Sequence, residues 1–262
     1  MQFLRRPDAI LHISDQGPRD GRVVMFANSL GTDLRVWDLL LPLLPADLRV
    51  IRFDKPGHGL SDASPAPYSM EGLAADAEAI CEALALQNVT FIGLSIGGLI
   101  GQALAAKRPD LIQALVLMDT AAKIGSAQMW NSRIAAVRES GLEPMGPAIM
   151  ERWFTAPYRQ ERPEFALWTN MLTRTTVEGY TGCCAAIAGA DLTESTRALQ
   201  LPVLVLCGDQ DGSTPPELVQ ATADLITGAE FRLVPEAGHI PCAEQPEATA
   251  RLITDFLERT TR

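Results

Sequence analysis

The sequence predicts an α/β protein in which a mostly parallel, doubly wound sheet carries an inserted layer of helices. Three observations predict it. Short apolar runs rich in Val, Ile, Leu and Phe recur along the 262 residues, helix-like stretches separate most of them, and the alternation lapses once, between about 120 and 195. Alternating strands and helices build parallel βαβ units, and a chain of this length suits one such core with one insertion.

In chain order, an alternating N-terminal run, AILHISD, suits a half-exposed strand, and the runs RVVMFAN (22–28) and LRVIRFD (48–54) follow it. VTFIGL (89–94), ALVLMD (114–119), PVLVLCG (202–208) and EFRLVPE (230–236) complete the set. Several of these are continuous rather than alternating, as strands buried on both faces should be. Helices are expected at 69–86, 97–110, 215–226 and 246–260. Within 120–195, the segments IGSAQMWNSRIAAVRESG, GPAIMERWFTAPY and PEFALWTNMLTRTTVEGYTGCCAAIAGAD read as helices and hold three of the four tryptophans. No repeat or long polar linker interrupts them, so a packed cap over the sheet is expected.

Composition narrows the partners. A net charge of -10 repels nucleic acid and anionic membrane surfaces, while one or two local arginines would still admit a small anionic ligand. The five cysteines are odd in number and form no C-x-x-C pair, which suits reduced thiols. The N-terminus lacks an apolar signal core, and no stretch approaches the ~20 apolar residues of a membrane span, so a cytoplasmic protein is expected.

In a doubly wound sheet, ligands bind at the carboxyl ends of the strands, so chemistry belongs in the residues that follow each strand. GLSIG (93–97) follows VTFI and leads straight into a helix, which is the context of a nucleophile elbow at Ser95. A glycine-rich turn there could also serve packing alone. A serine nucleophile needs a base, and three histidines are available. His12 falls in the alternating run and His58 in the glycine-rich turn DKPGHGLSD, both suited to structural roles. His239, in PEAGHIPCAEQP between the last strand and the last helix, is the best-placed base. The carboxylate that orients it is Asp209 or Asp211, in DQDGSTPP, and either could instead cap or turn the chain. An oxyanion hole would take one N–H from Ile96 and one from Leu30, in the NSLGT turn.

These motifs together resemble the α/β-hydrolase superfamily over essentially the full chain, and within it the 3-oxoadipate enol-lactonases. The stretches NSLGTDLRVWD, GLSIGGLIGQALA, DTAAKIGSAQMWNSRI and GYTGCCAAIAGADL carry the likeness. The resemblance implies an α/β-hydrolase core at 1–119 and 196–262 with a helical cap at 120–195. It further implies Ser95 as nucleophile, Asp211 rather than Asp209 as the acid, His239 as base, and Leu30 and Ile96 as oxyanion donors. Trp130 and Arg133 would face the substrate, and Arg133 or Lys123 would pair with its carboxylate.

The implied reaction opens 3-oxoadipate enol-lactone through an acyl-enzyme, with no metal or organic cofactor. A carboxylesterase or a carbon-carbon bond hydrolase is the nearest alternative, and a non-catalytic ligand receptor the remote one. Both a monomer and a homo-oligomer fit the sequence. One departure stands out: where enol-lactonases often carry Asp-Thr-Arg-Gly-His-Gly, this chain has DKPGHG, with Lys55 and Pro56 at the changed positions. Proline fixes φ and removes an N–H, so that turn is expected to differ locally.

Overall fold

The structure is a computed structural model that describes residues 1–7 and 9–260. Its centre is one eight-stranded sheet in the order β1-β2-β4-β3-β5-β6-β7-β8. The strands are β1 (Gln2–Arg5), β2 (Ile10–Gln16), β3 (Arg22–Ala27), β4 (Leu48–Phe53), β5 (Val89–Leu94), β6 (Ile112–Met118), β7 (Val203–Gly208) and β8 (Glu230–Val234). Pairing is parallel from β4 to β8, and only the β1-β2 and β2-β4 pairs are antiparallel. The six expected runs are β3 to β8, and every residue of β5 and β7 is buried, which explains their lack of alternation. β1 is four residues, mostly exposed, at the sheet edge, too short and polar to register in the sequence. β2 is fastened by a buried fork in which Arg49 Nε and Nη2 donate to Asp15 Oδ1 and Oδ2 at 3.0 and 2.9 Å.

Four helices flank the sheet: α1 (Met70–Ala83), α2 (Ile96–Lys107), α9 (Pro216–Ala223) and α11 (Pro246–Thr260), with the short α10 (Pro241–Glu244) before the last. α2 lies against β3, β5 and β6 and is covered by α1 and the short helix Thr193–Arg197, so it is apolar around most of its circumference. Between β6 and β7 run α3 (Ala127–Ser140), α4 (Gly146–Trp153), α5 (Ala156–Glu161), α6 (Phe165–Thr173), α7 (Val177–Gly189) and α8 (Thr193–Arg197). Ser126, Thr155 and Thr176 cap α3, α5 and α7, each side chain accepting a first-turn N–H. The helices have their own aromatic centre, where Phe154 stacks on Tyr158 at 4.9 Å and Trp168 Nε1 donates to the Tyr158 hydroxyl at 3.1 Å. The boundary expected at 195 falls inside α8, which is tied to α2 by Thr196 Oγ1 donating to Gln102 Oε1 at 2.7 Å.

The five cysteines are unpaired and buried. Among the described residues, no helix is long and apolar enough to cross a membrane.

Candidate active site

The turn between β5 and α2 holds Ser95 at φ 58°, ψ -118°, a left-handed conformation that costs a non-glycine residue about 1–3 kcal/mol. The surroundings enforce it: Ser95 N–H donates to Met118 O at 2.9 Å, and Ser95 O accepts from Thr120 Oγ1 at 2.6 Å. Two glycines let backbone approach backbone here. A Cβ on Gly97 would sit 2.0 Å from Ala27 O, and one on Gly93 would sit 2.2 Å from Gly97 O. The hydroxyl is thus carried on a sharp turn at the positive end of α2.

His239 follows β8 and is almost wholly buried, its main-chain N–H donating to Trp153 O at 2.8 Å. Its Nδ1 lies 2.8 Å from Asp211 Oδ2. An ionised carboxylate only accepts, so Nδ1 carries the hydrogen and Nε2 keeps its lone pair. Asp211 also accepts the N–H groups of Ser213 and Thr214 at 2.7 and 3.1 Å and the Thr214 hydroxyl at 2.6 Å. Burial by itself would raise this carboxyl, but the facing His239 and these donors outweigh burial and hold it below its ordinary value. Asp209 instead accepts the Ala237 N–H at 3.3 Å and does not meet His239. The geometry therefore separates the two aspartates that the sequence leaves open. Ser95 and His239 line one cavity, with no hydrogen bond between them among the described residues. Such contacts often tighten only when substrate is bound.

The turn after β3 is tightly held. Thr32 N–H and Oγ1 donate to Ser29 O at 3.2 and 2.9 Å, and Gly31 N–H donates to His58 Nε2 at 3.1 Å. His58 Nδ1 sits 3.0 Å from Pro56 O, and burial pushes this imidazole well below its usual pKa, keeping it neutral. His58 thus braces a turn, and His12 Nδ1 pairs with Asp54 Oδ2 at 2.8 Å. Among the described residues, neither the Leu30 N–H nor the Ile96 N–H has a protein acceptor.

The cavity measures about 270 Å³, and Ser95, Leu30 and His239 face Trp130 and Arg133 of α3 and Arg152 of α4 across it. Arg133 lies 4.8 Å over the Trp130 ring, whose Nε1 donates to Ile124 O at 2.6 Å. Neither Arg133 nor Arg152 has an acidic partner among the described residues, and burial, then the charge of Arg133, lower the Arg152 guanidinium below its ordinary value. Arg152 went unnoticed in the sequence. Its signal was the spacing Ile149, Arg152, Trp153, which puts three cavity-lining side chains on one face of α4. Lys123 is a correction: it lies on the surface, Nζ 2.8 Å from Asp191 Oδ2, and is not in the cavity wall.

Behind Asp211 lies Asp119, wholly buried and at φ 47°. Burial, and next the charge of Asp211, hold its carboxyl well above the usual range. Its Oδ1 accepts Gly208 N–H at 2.8 Å, and the protonated Oδ2, otherwise without a partner, is left to donate towards Asp211. Ligand atoms of Asp119, Asp211 and His239 lie within 4.8 Å of one another. A cation there would have to break the Asp211–His239 hydrogen bond and deprotonate Asp119, so this trio suits a proton-holding role better than a metal.

A parallel sheet, a strained serine turn at the mouth of a buried strand and a carboxylate-bound imidazole after the last strand define a class, the hydrolases of the α/β type. The chain belongs to the alpha/beta hydrolase family, whose model matches residues 18–252. It is 35% identical to 3-oxoadipate enol-lactonase 2 of Acinetobacter baylyi, over 98% of this chain and 96% of that one, and 29% identical to enol-lactonase 1 of the same organism over 98% and 97%. Among solved structures, the enol-lactonase from Burkholderia xenovorans superposes with a TM-score of 0.95 at 35% identity, covering 98% of this chain and 100% of that one. A thermophilic esterase from Thermogutta terrifontis, with malate bound, gives 0.94 at 28% identity and full coverage of both.

Proposed function

We propose that this hydrolase opens the lactone ring of 3-oxoadipate enol-lactone to give 3-oxoadipate, a step in the degradation of aromatic compounds. The observation that carries the reading is the pair of guanidinium groups, Arg133 and Arg152, facing the Ser95 side of a small cavity without acidic partners. Two like charges brought together in a half-buried wall call for an anion. A compact lactone bearing one carboxylate supplies it, and about 270 Å³ leaves little room for a long dione.

In the proposed mechanism, Ser95 Oγ attacks the lactone carbonyl while His239 Nε2 takes its proton and Asp211 stabilises the imidazolium. The negative charge that develops on the carbonyl oxygen meets the Leu30 and Ile96 N–H groups. The C–O bond of the ring then breaks, and the leaving oxygen departs as an enolate that becomes a ketone by taking up the proton held on His239, which restores the neutral imidazole as a base. Because an enolate leaves readily, little is asked of the general acid. Water, deprotonated by His239, then cleaves the acyl ester and releases 3-oxoadipate and free Ser95. Arg133 and Arg152 hold the acetate side chain, and Trp130 keeps Arg133 in place.

Steady-state hydrolysis of freshly generated enol-lactone, followed by loss of its ultraviolet absorbance, tests the reading. Efficient turnover supports it. Preference for neutral aryl esters would favour an esterase, in line with the likeness to the Thermogutta enzyme, and preference for a vinylogous dione would favour a carbon-carbon bond hydrolase. Binding without any turnover would leave a receptor.

The arginines yield a sharper expectation. Arg152→Met should raise KM for the lactone about 10- to 100-fold, the worth of a hydrogen bond to a charged group, while kcat/KM for p-nitrophenyl acetate changes less than about threefold. Equal losses on both substrates would show that Arg152 supports the fold of the site rather than the carboxylate.

A further inference from the structure

We propose that Lys55 is a positioning residue of the oxyanion hole, holding and polarising the peptide that presents the Leu30 N–H. The inference rests on the serine-hydrolase reading above. It starts from the departure in DKPGHG. Lys55 is 0% exposed, and its Nζ donates to Asn28 O at 3.0 Å and to Ser29 O at 2.9 Å. Ser29 O belongs to the same peptide group as Leu30 N–H. That carbonyl already accepts from Thr32 N–H and Thr32 Oγ1, so an ammonium adds a third, charged donor to one oxygen. Donors on a carbonyl draw electron density from its amide and strengthen the N–H as a donor.

A cation in this place is costly unless paired, yet no carboxylate lies within ion-pair distance of Lys55 among the described residues. The nearest acids are engaged elsewhere. Asp33 pairs with Arg35 Nη2 at 2.5 Å, and Asp54 Oδ1 accepts the Leu34 N–H at 2.7 Å. The positive charge is therefore held against two neutral carbonyls directly behind the turn, where it also favours the anion that forms in front of it.

A charged group that acts this way leaves a pH signature. Burial lowers Lys55 to about 8, against weaker upward pulls from Cys183, Asp54 and Asp33. Of the other titratable groups facing it, burial keeps His58 neutral and pushes the Cys183 thiol up to about 12. The ammonium is present below pH ~8 and lost above it, so kcat should fall as pH rises through that value. Stability moves the other way. Since the folded value lies below the ordinary 10.5, the unfolded chain binds more protons between the two, and Lys55 contributes increasing stability across that window. A fall in kcat there is thus separable from alkaline unfolding.

The experiment uses p-nitrophenyl acetate, independent of the lactone assignment, with the parent protein, Lys55→Gln and Ser95→Ala. Lys55→Gln keeps a neutral donor and should lower kcat about tenfold at pH 7, leave KM within about twofold, and abolish the alkaline fall. An unchanged kcat, or a loss confined to KM, overturns the proposal. If Lys55→Gln does not fold, the parent decides: kcat flat from about pH 7 to 10 overturns the proposal, and a fall near 8 with an intact fold supports it. A Ser95→Ala protein that still turned over the ester would instead remove the nucleophile on which the inference rests.

Discussion

Replacing Ser95 by glycine should abolish turnover and yet leave a more stable protein than replacement by alanine does. Both variants lack the hydroxyl, so hydrolysis of any ester is expected to drop about 10⁵- to 10⁶-fold, as it does when a serine nucleophile is removed from its triad. Stability separates them. At φ 58°, ψ -118°, any residue with a Cβ carries about 1–3 kcal/mol of backbone strain, which glycine escapes. Glycine returns about 0.5–1 kcal/mol through its looser unfolded chain, so the net difference should be about 1 kcal/mol in its favour. In a chain of this size that is about 2–4 °C in Tm, within reach of calorimetry. This reverses the usual order of alanine over glycine beside a helix. If alanine proved the more stable, the turn would be relaxed and its geometry would say nothing of function. If either variant kept its activity, Ser95 would not be the nucleophile.

What could be read from the chain alone was whatever depends on sequence neighbours. The central strands announce themselves because burial on both faces removes alternation, as in β5 and β7, and Ser95 stands out because it directly follows β5, while His239 stands out in the turn that leads from β8 to the last helices. Asp211 needed the structure or a family likeness, because Asp209 two positions earlier offers the same chemistry and only the distance to His239 divides them. Arg152 and Lys123 show the same limit from opposite sides. Both are basic residues of the inserted segment, Arg152 on α4 and Lys123 in the loop before α3, and nothing local tells one that faces a cavity from one that faces Asp191. Lys55 was visible as a departure, but its role depends on carbonyls 26 and 27 positions away. Asp119 directly follows β6, and its neighbour Asp211 lies in the loop just past the end of the adjoining β7.

Asp119 and Asp211 are both buried aspartates beside one histidine, yet their substitutions should differ by about three orders of magnitude. Asn at 211 can keep the shape of the loop, its carbonyl oxygen accepting the Ser213 and Thr214 N–H groups. Its amide nitrogen then faces His239 Nδ1 and donates to it. That forces the hydrogen onto Nε2, where the imidazole can no longer take a proton from Ser95, and kcat should fall about 10⁴-fold. Asp119 cannot step in. Removing the charge of Asp211 relieves only the second cause of its raised pKa, and burial, the larger cause, keeps it protonated. Asp119→Asn, by contrast, replaces one neutral group by another: its oxygen can still accept from Gly208 and its NH₂ can donate towards Asp211. A loss of less than about tenfold is expected. Steady-state kinetics of both variants on p-nitrophenyl acetate decides the matter. Comparable losses would mean that the two carboxyls share the charge that orients His239, and the acid would then be the pair rather than Asp211.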